Sequence, residues 1–395
     1  MSQAIVTLNA GSSSLKFAVF RCRDDSLNQT VVGKIEGIGT APHLIAHDAS
    51  GSVLVEKRWD GEADRAHETF LADLFDWIEA HLEGADLMGV GHRVVHGGAH
   101  FTLPTRVTPS LLGALEALIP LAPLHQPHNI AAIRAVASVR PDLPQIACFD
   151  TAFHCTQPAI ATRFALPRRF EVEGVRRYGF HGLSYEFISR RLGEIDPDLR
   201  KGRVVVAHLG NGASLCALRD GKSIDTTMGF TALDGLVMGT RAGALDPGVV
   251  LYLLQQKGMT ADAVSHLLYD QSGLLGVSGL SSDMRVLSES PDPRAAEAID
   301  LFCYEIARNI GALTVSLGGL DGLVFTAGIG ENAANVRANV ADRLDFMGIA
   351  LDDNANRANA TVISRPDAAI RVRVIPTDEE RMIATHVHDY LEDRP

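Results

Sequence analysis

The sequence predicts an α/β protein made of a duplicated domain, and three observations predict it. An apolar hairpin pattern occurs twice, shifted by 200 residues. Strand-like and helix-like hydrophobic periods alternate along most of the chain. The 395 residues suffice for two or three domains at roughly 150 residues each.

The elements follow in order. Ile5 to Leu8 is a short apolar strand, Asn9 to Ser14 a small-residue turn, and Leu15 to Phe20 the return strand of a hairpin. Ala66 to Leu82 places Phe70, Leu71, Leu74, Phe75, Ile78 and Leu82 at helical spacing. Leu87 to Val95 reads as a strand, Asn129 to Val139 as a helix stopped by Pro141, and Gln145 to Phe149 as a buried strand ending at Asp150. Val204 to Leu209, a Gly210–Ser214 turn and Leu215 to Leu218 repeat the opening hairpin. Gly11, Ser14 and Leu15 overlay Asn211, Ser214 and Leu215, which implies two related domains unless two Gly/Ser turns merely look alike. A long helix from Arg294 to about Leu317, a strand Leu323 to Thr326, a Gly-Ile-Gly turn and a helix from about Asn332 come next. His181 precedes a helix start, with Ser184 as its candidate N-cap. Arg371 to Ile375 is a strand and Glu379 to Leu391 a closing amphipathic helix.

Composition excludes several classes. Hydrophobic residues are 46% and charged residues 21%, as in ordinary globular proteins and unlike disordered or fibrous ones. No apolar stretch is long enough to span a membrane, and the start MSQAIVTLNAG lacks the basic-then-apolar pattern of a secretory signal. Five cysteines without a CxxC pair read as reduced thiols of a cytoplasmic protein. A net charge of −12 argues against nucleic acid or anionic membrane as partner. Local clusters of Arg, Lys and His run against that field and are informative for that reason.

Two Gly/Ser hairpin turns present backbone N–H groups without side-chain obstruction, an anion-binding arrangement. Lys16 lies two residues beyond the first turn, within reach of a phosphate there. A third loop, Thr326 to Asn332, puts Gly328 and Gly330 between a strand and a helix; alone, it is equally an ordinary turn. Arg93, His181 and Arg241 all sit at strand ends or in Gly-flanked loops, which suit neither a core nor a solvated face. Together they read as a clamp on an anion, with donors for a phosphoryl group in transfer. Asp150 and Glu379 are carboxylates available to Mg²⁺, or equally a helix cap and a surface acid.

The runs LNAGSSSLKF (8–17), GHRVVHGG (91–98), CFDTAFH (148–154), YGFHGLSYE (178–186), HLGNGASL (208–215), DTTMGFTALDGLVMGTRAGALDPG (225–248), SSDMR (281–285), FTAGIGENA (325–333) and PTDEE (376–380) resemble those of the acetate kinases, end to end and in the same order. The resemblance implies a duplicated ribonuclease H-like fold of the actin and sugar-kinase type, with a nucleotide cleft between the domains. It implies an N-terminal domain of residues 1–152 plus 381–395 and a nucleotide-binding domain of residues 153–380. The implied reaction is reversible phosphoryl transfer between ATP and acetate, giving ADP and acetyl phosphate. Mg²⁺ is implied, with Mn²⁺ as an alternative, and so is a homodimeric assembly. Asn9 and Glu379 would hold the metal, and Arg93 would bind the carboxylate. Asp150 is the family's acid/base position, while His181 and Arg241 would stabilise the transition state. Lys16, His208, Leu209, Gly210, Asn211, Gly212, Asp283, Met284, Arg285, Gly328, Ile329, Gly330, Glu331 and Asn332 would face the nucleotide. Val95, Leu124, Phe180 and Ala232 would surround the acyl methyl.

Acetate resembles a Glu side chain, with a pKa of about 4.3, and is ionised at neutral pH. The barrier is therefore repulsion between two anions, and Asp150 serves at least as well to orient a cation or a metal-bound water as to remove a proton. Two residues depart from the family's usual pattern: Ala232 replaces a common Pro and Asp378 a common Asn. The first touches acyl selectivity, the second the charge around the metal. The rival readings are a propionate kinase of broader acyl range, a nucleotide-operated non-enzymatic protein of the same superfamily, and a phosphate-ester hydrolase.

Overall fold

The computed structural model describes residues 3–11, 14–23, 26–59, 67–82 and 84–392. The chain divides into two units, Met1–Ala152 with Asp378–Pro395, and Phe153–Thr377.

The first unit holds β1 (Gln3–Ala10), β2 (Ser14–Arg23), β3 (Ser26–Glu36), β4 (His43–Asp48), β5 (Val53–Arg58), β6 (Asp86–Val94), β7 (Thr105–Arg106) and β8 (Gln145–Phe149). They form one sheet in the order β5-β4-β3-β2-β1-β6-β8-β7. The second unit holds β9 (Arg203–Leu209), β10 (Ala213–Arg219), β11 (Lys222–Thr226), β12 (Gly322–Thr326) and β13 (Arg371–Val374), ordered β11-β10-β9-β12-β13. In both sheets an antiparallel meander leads to two further strands that run parallel to its first strand. The repeat read from two turns is thus a repeat of five strands, and the fold is the duplicated α/β type that the sequence predicts.

The sequence pattern explains which strands are central. β1, β8, β9 and β12 are nearly continuous apolar runs, buried on both faces by flanking helices. Below the first sheet, Phe70, Leu74, Phe75 and Ile78 of the helix His67–Ala80 pack with Phe17, Val19 and Ile35. In the second unit the helix Pro293–Leu317 starts at an Asp292 cap with Pro293 in its first turn, and stops at Gly318, whose φ is +71°. Among the described residues no helix is long and apolar enough to cross a membrane.

Two expectations change. The Gly-Ile-Gly segment is not a turn: a helix, Ala327–Asn332, begins directly at the end of β12. Neither glycine is required by packing: nothing lies within 4 Å of a Cβ on Gly328, and one on Gly330 would sit at ordinary contact distance, 3.5 Å from the Ala207 carbonyl. Ser184 is not an N-cap, because His181 occupies that position and Ser184 lies buried inside the helix Gly182–Ile195. Ser12 and Ser13 of the first turn, and Ala66 at the expected helix start, lie outside the described residues.

Candidate active site

In the first unit, the parallel strands β1, β6 and β8 end side by side, as neighbouring parallel strands must, and their ends carry Asn9, Arg93 and Asp150. Arg93 Nη2 and Nε reach Asp150 at 2.6 and 3.1 Å, while Nη1 donates to Asn9 Oδ1 at 3.2 Å. Glu379, at the start of the closing helix, has Oε2 3.9 Å from Arg93 Nε. Burial works against the Arg93 charge, but Asp150 and Glu379 outweigh it and hold the guanidinium firmly protonated. Burial pushes the Glu379 carboxyl up to about 7, opposed by Arg93 and assisted by Asp150 and Glu380. Lys16 is exposed on β2 in register with Asn9.

The Asn9 amide oxygen and the two carboxylates are hard oxygen donors, the kind Mg²⁺ prefers. Among the described residues no three His, Cys, Asp or Glu side chains gather as a complete metal site. A cation here would complete its shell with substrate phosphate and water, as Mg²⁺ commonly does. Asp378 does not join this group. It caps the closing helix by accepting from Arg381 N at 2.9 Å, and it pairs with Arg381 Nε at 3.1 Å.

In the second unit, His181 has a left-handed backbone (φ 57°). Its Nδ1 lies 2.8 Å from Ser214 Oγ, which also contacts the Tyr185 hydroxyl, and its ring stacks on His208 at 4.1 Å. His208 Nδ1 in turn meets Ser184 Oγ at 2.8 Å. Arg241 Nη1 donates to the Ala232 carbonyl at 2.6 Å. A methyl group on Gly212 would come within 3.0 Å of Arg241 Nη2 and 3.4 Å of His181 Nε2, so both donors converge on the turn of the second hairpin.

Beside that turn opens a cleft of about 950 Å³. Gly210, Asn211, Asp283, Met284, Arg285, Gly328, Ile329 and Asn332 line it, as do Ser288, Glu289 and Asn335, which sequence reasoning missed. His208, Leu209, Gly212, Gly330 and Glu331 are not among its walls. Asp283 caps its helix and pairs with Arg285, and that pairing holds its carboxyl below the usual range. Glu331 accepts from the Thr377 backbone N–H at 3.1 Å. Gly239 lies so close to Asn211 that a Cβ there would overlap Asn211 Oδ1.

The four residues that the resemblance sets around the acyl methyl fall in different units. Val95 and Leu124 belong to the first, Phe180 and Ala232 to the second. Val95 and Phe180 are buried, and Leu124 is 42% exposed. Asn129, absent from the sequence reading, fixes the Val95 segment: its Oδ1 accepts from Val95 N and its Nδ2 donates to the Ala10 carbonyl.

The acetokinase family model matches residues 4–385. An acetate kinase of Rhodopseudomonas palustris is 52% identical over 394 residues, 98% of each chain. The crystal structure of a propionate kinase from Francisella tularensis superposes with a TM-score of 0.90 at 38% identity, covering 97% of this chain and 98% of that one. The crystal structure of Porphyromonas gingivalis acetate kinase superposes with a TM-score of 0.88 at 37% identity, covering 98% of this chain and 100% of that one.

Proposed function

The chain belongs to the acetokinase family and is a kinase that phosphorylates acetate; on that premise we propose which of its residues carry the reaction. The observation that carries the assignment is the convergence of His181 Nε2 and Arg241 Nη2 on the Gly212 turn beside the cleft. ATP lies in that cleft against Gly210, Asn211, Asp283 to Arg285, Gly328, Ile329 and Asn332. His181 and Arg241 donate to the oxygens of the transferring phosphoryl, where negative charge spreads in the transition state. His208 stacks on the His181 ring and restricts its tilt.

Arg93 receives the acetate carboxylate with the guanidinium edge not committed to Asp150. Asp150, held in two hydrogen bonds by Arg93, orients that guanidinium rather than removing a proton. Asn9 and Glu379 hold a divalent cation, Mg²⁺ by the hardness of the donors, with Mn²⁺ as a substitute. When bound, that cation offsets the charge of the phosphate oxygens. Lys16 adds a positive charge beside Asn9. Val95, Leu124, Phe180 and Ala232 contact the acyl methyl.

Acyl-phosphate trapping with hydroxylamine tests this reading, using ATP, Mg²⁺ and acetate, propionate or butyrate against a no-acid blank. Hydroxamate with acetate is the expected result. ATP turnover unaffected by any acid, without hydroxamate, would sink it. Ala232 favours a second reading of the same site, a broader acyl range that includes propionate.

A homodimer and a cytoplasmic location belong to the proposal. In the second unit the nine-residue helix Pro247–Gln255 has no buried residue and exposes Val249, Leu251 and Tyr252, a surface suited to a second copy. The five cysteines form no disulfide, which supports a reducing compartment.

A further inference from the structure

The loop that carries His181 is held from behind by a histidine to which the reaction assigns no part. His154, in the short helical turn Ala152–Thr156, is 2% exposed. Its Nε2 lies 2.9 Å from the Phe180 carbonyl and its Nδ1 2.9 Å from Ser223 Oγ. A carbonyl only accepts, so Nε2 carries the proton and Nδ1 accepts from the Ser223 hydroxyl. Ser223 Oγ accepts in turn from Gln157 Nε2 at 3.2 Å. Every polar atom of the imidazole is thereby used, and a single tautomer is selected. Burial lowers the His154 pKa to about 4, so the ring is neutral at neutral pH.

The Phe180 carbonyl belongs to the peptide plane that leads into His181. Rotation about the bond from that plane's nitrogen to the His181 Cα is φ, which stands at +57°, a region that residues other than glycine seldom occupy. Holding the carbonyl therefore holds φ, and φ directs the imidazole. Gly179 makes the hold possible. Its φ is +78°, and a Cβ there would fall 2.6 Å from His154 Cδ2.

We propose that His154 is a positioning residue for phosphoryl transfer: its Nε2–H pins the Phe180–His181 peptide and so aims His181 Nε2 at the Gly212 turn. This rests on the role assigned to His181 above. In the full-length enzyme, His154→Phe keeps an aromatic ring but removes the donor. Its kcat for acyl phosphate formation should fall by about 10²-fold, the loss expected from a misplacement of order 1 Å, with KM for ATP and acetate little changed. His154→Gln, which retains a neutral N–H of similar reach, should recover most of that loss. In a His181→Ala background, His154→Phe should have no further effect on kcat, because the two residues act through one interaction.

A wild-type kcat in His154→Phe overturns the proposal. So does an equal loss in the presence and absence of His181, which would make His154 a general support of the fold. If His154→Phe does not fold, Ser223→Ala decides. It frees Nδ1 to take the proton and should lower kcat by a smaller factor, again only when His181 is present; an unchanged kcat overturns the proposal. Absence of hydroxamate from the parent enzyme would instead count against the phosphoryl-transfer reading.

Discussion

The two sheets share a run of five strands, yet the side chains at their strand ends are held by different forces. At the ends of β1, β6 and β8, Arg93 is bound to Asp150, Asn9 and Glu379, a cluster of opposite charges with little solvent. At the end of β9 and beyond it, His181 and His208 are fixed by Ser214 and Ser184, and Arg241 by a backbone carbonyl. The first arrangement balances charge within itself. The second fixes its donors through serine hydroxyls and a backbone carbonyl. Breaking the first should therefore cost stability as well as rate, and breaking the second rate before stability.

The largest expected effect tests the first half of that contrast. Arg93→Ala leaves the Asp150 carboxylate, 1% exposed, without its cation. Removing one partner of such a buried pair destabilises by about 3–5 kcal/mol. Urea unfolding of the variant should show a midpoint lowered accordingly. An unchanged midpoint would mean that water or Lys16 replaces the guanidinium.

His181→Ala and Arg241→Ala test the second half. Loss of a donor to the transferring group costs about 2.7–4 kcal/mol, or 10²–10³ in kcat. The urea midpoint should stay near that of the parent, and KM for ATP should change little. A large loss of stability with a modest loss of kcat would erase the distinction between the two clusters.

How far the sequence discloses this contrast depends on the kind of contact. Arg93, His181 and Arg241 stand out because charged residues in glycine-flanked loops are poor core material, and Asn9, Asp150 and Glu379 because their runs resemble a known family. The parallel order of β1, β6 and β8 then accounts for three of them meeting at one sheet edge. The positioning contacts of Ser184, Ser214, Asn129 and His154 do not stand out. A serine or a buried histidine has no periodic signature, and its role depends on a partner 24 to 119 residues away in sequence. The Gly-Ile-Gly segment misleads for a related reason. Glycines after a strand are a usual turn signal, and nothing local in the sequence shows that a helix begins there at once. Asp378 directly precedes the helix start read at Glu379, so its capping bond to Arg381 N is legible as an N-cap, a signal that the reading of a charge beside the metal passes over.

Each unit also buries a neutral histidine, which offers a test in which the two should behave alike. Burial lowers the pKa of His92 in the first unit and of His154 in the second from 6.5 to about 4. Both rings stay neutral in the fold and take up a proton on unfolding below pH 6.5. The unfolded state then binds more protons, so the stability they contribute is complete above about pH 6.5 and is lost as pH falls toward 4. At 1.36 kcal/mol per pKa unit the loss is at most about 3 kcal/mol for each. Urea midpoints should fall between pH 7 and pH 5, and His92→Gln should reduce that fall. An identical pH dependence in the variant would remove His92 from the account.

The smallest expected effect concerns Ala232, where the two kinds of contact meet. Its carbonyl holds Arg241, so the backbone at this position serves the transfer step. Its side chain is a methyl group where the resemblance to the family sets a proline ring; if residue 232 lines the acyl pocket as proposed, that pocket has more room. A longer acyl chain could bury one further CH₂ there, worth about 0.8 kcal/mol if buried completely. Discrimination by one methylene reaches about 1–3 kcal/mol, so the preference shifts without abolishing acetate use. Ala232→Pro keeps the carbonyl that Arg241 needs and narrows the pocket. The ratio of kcat/KM for propionate over acetate should therefore be higher in the natural enzyme than in Ala232→Pro, while kcat with acetate stays comparable. An equal ratio would show that neighbouring side chains already close the space, as packed interiors tend to do. A drop in kcat with both acids would show instead that the proline displaces the carbonyl, and that residue 232 acts through Arg241 alone.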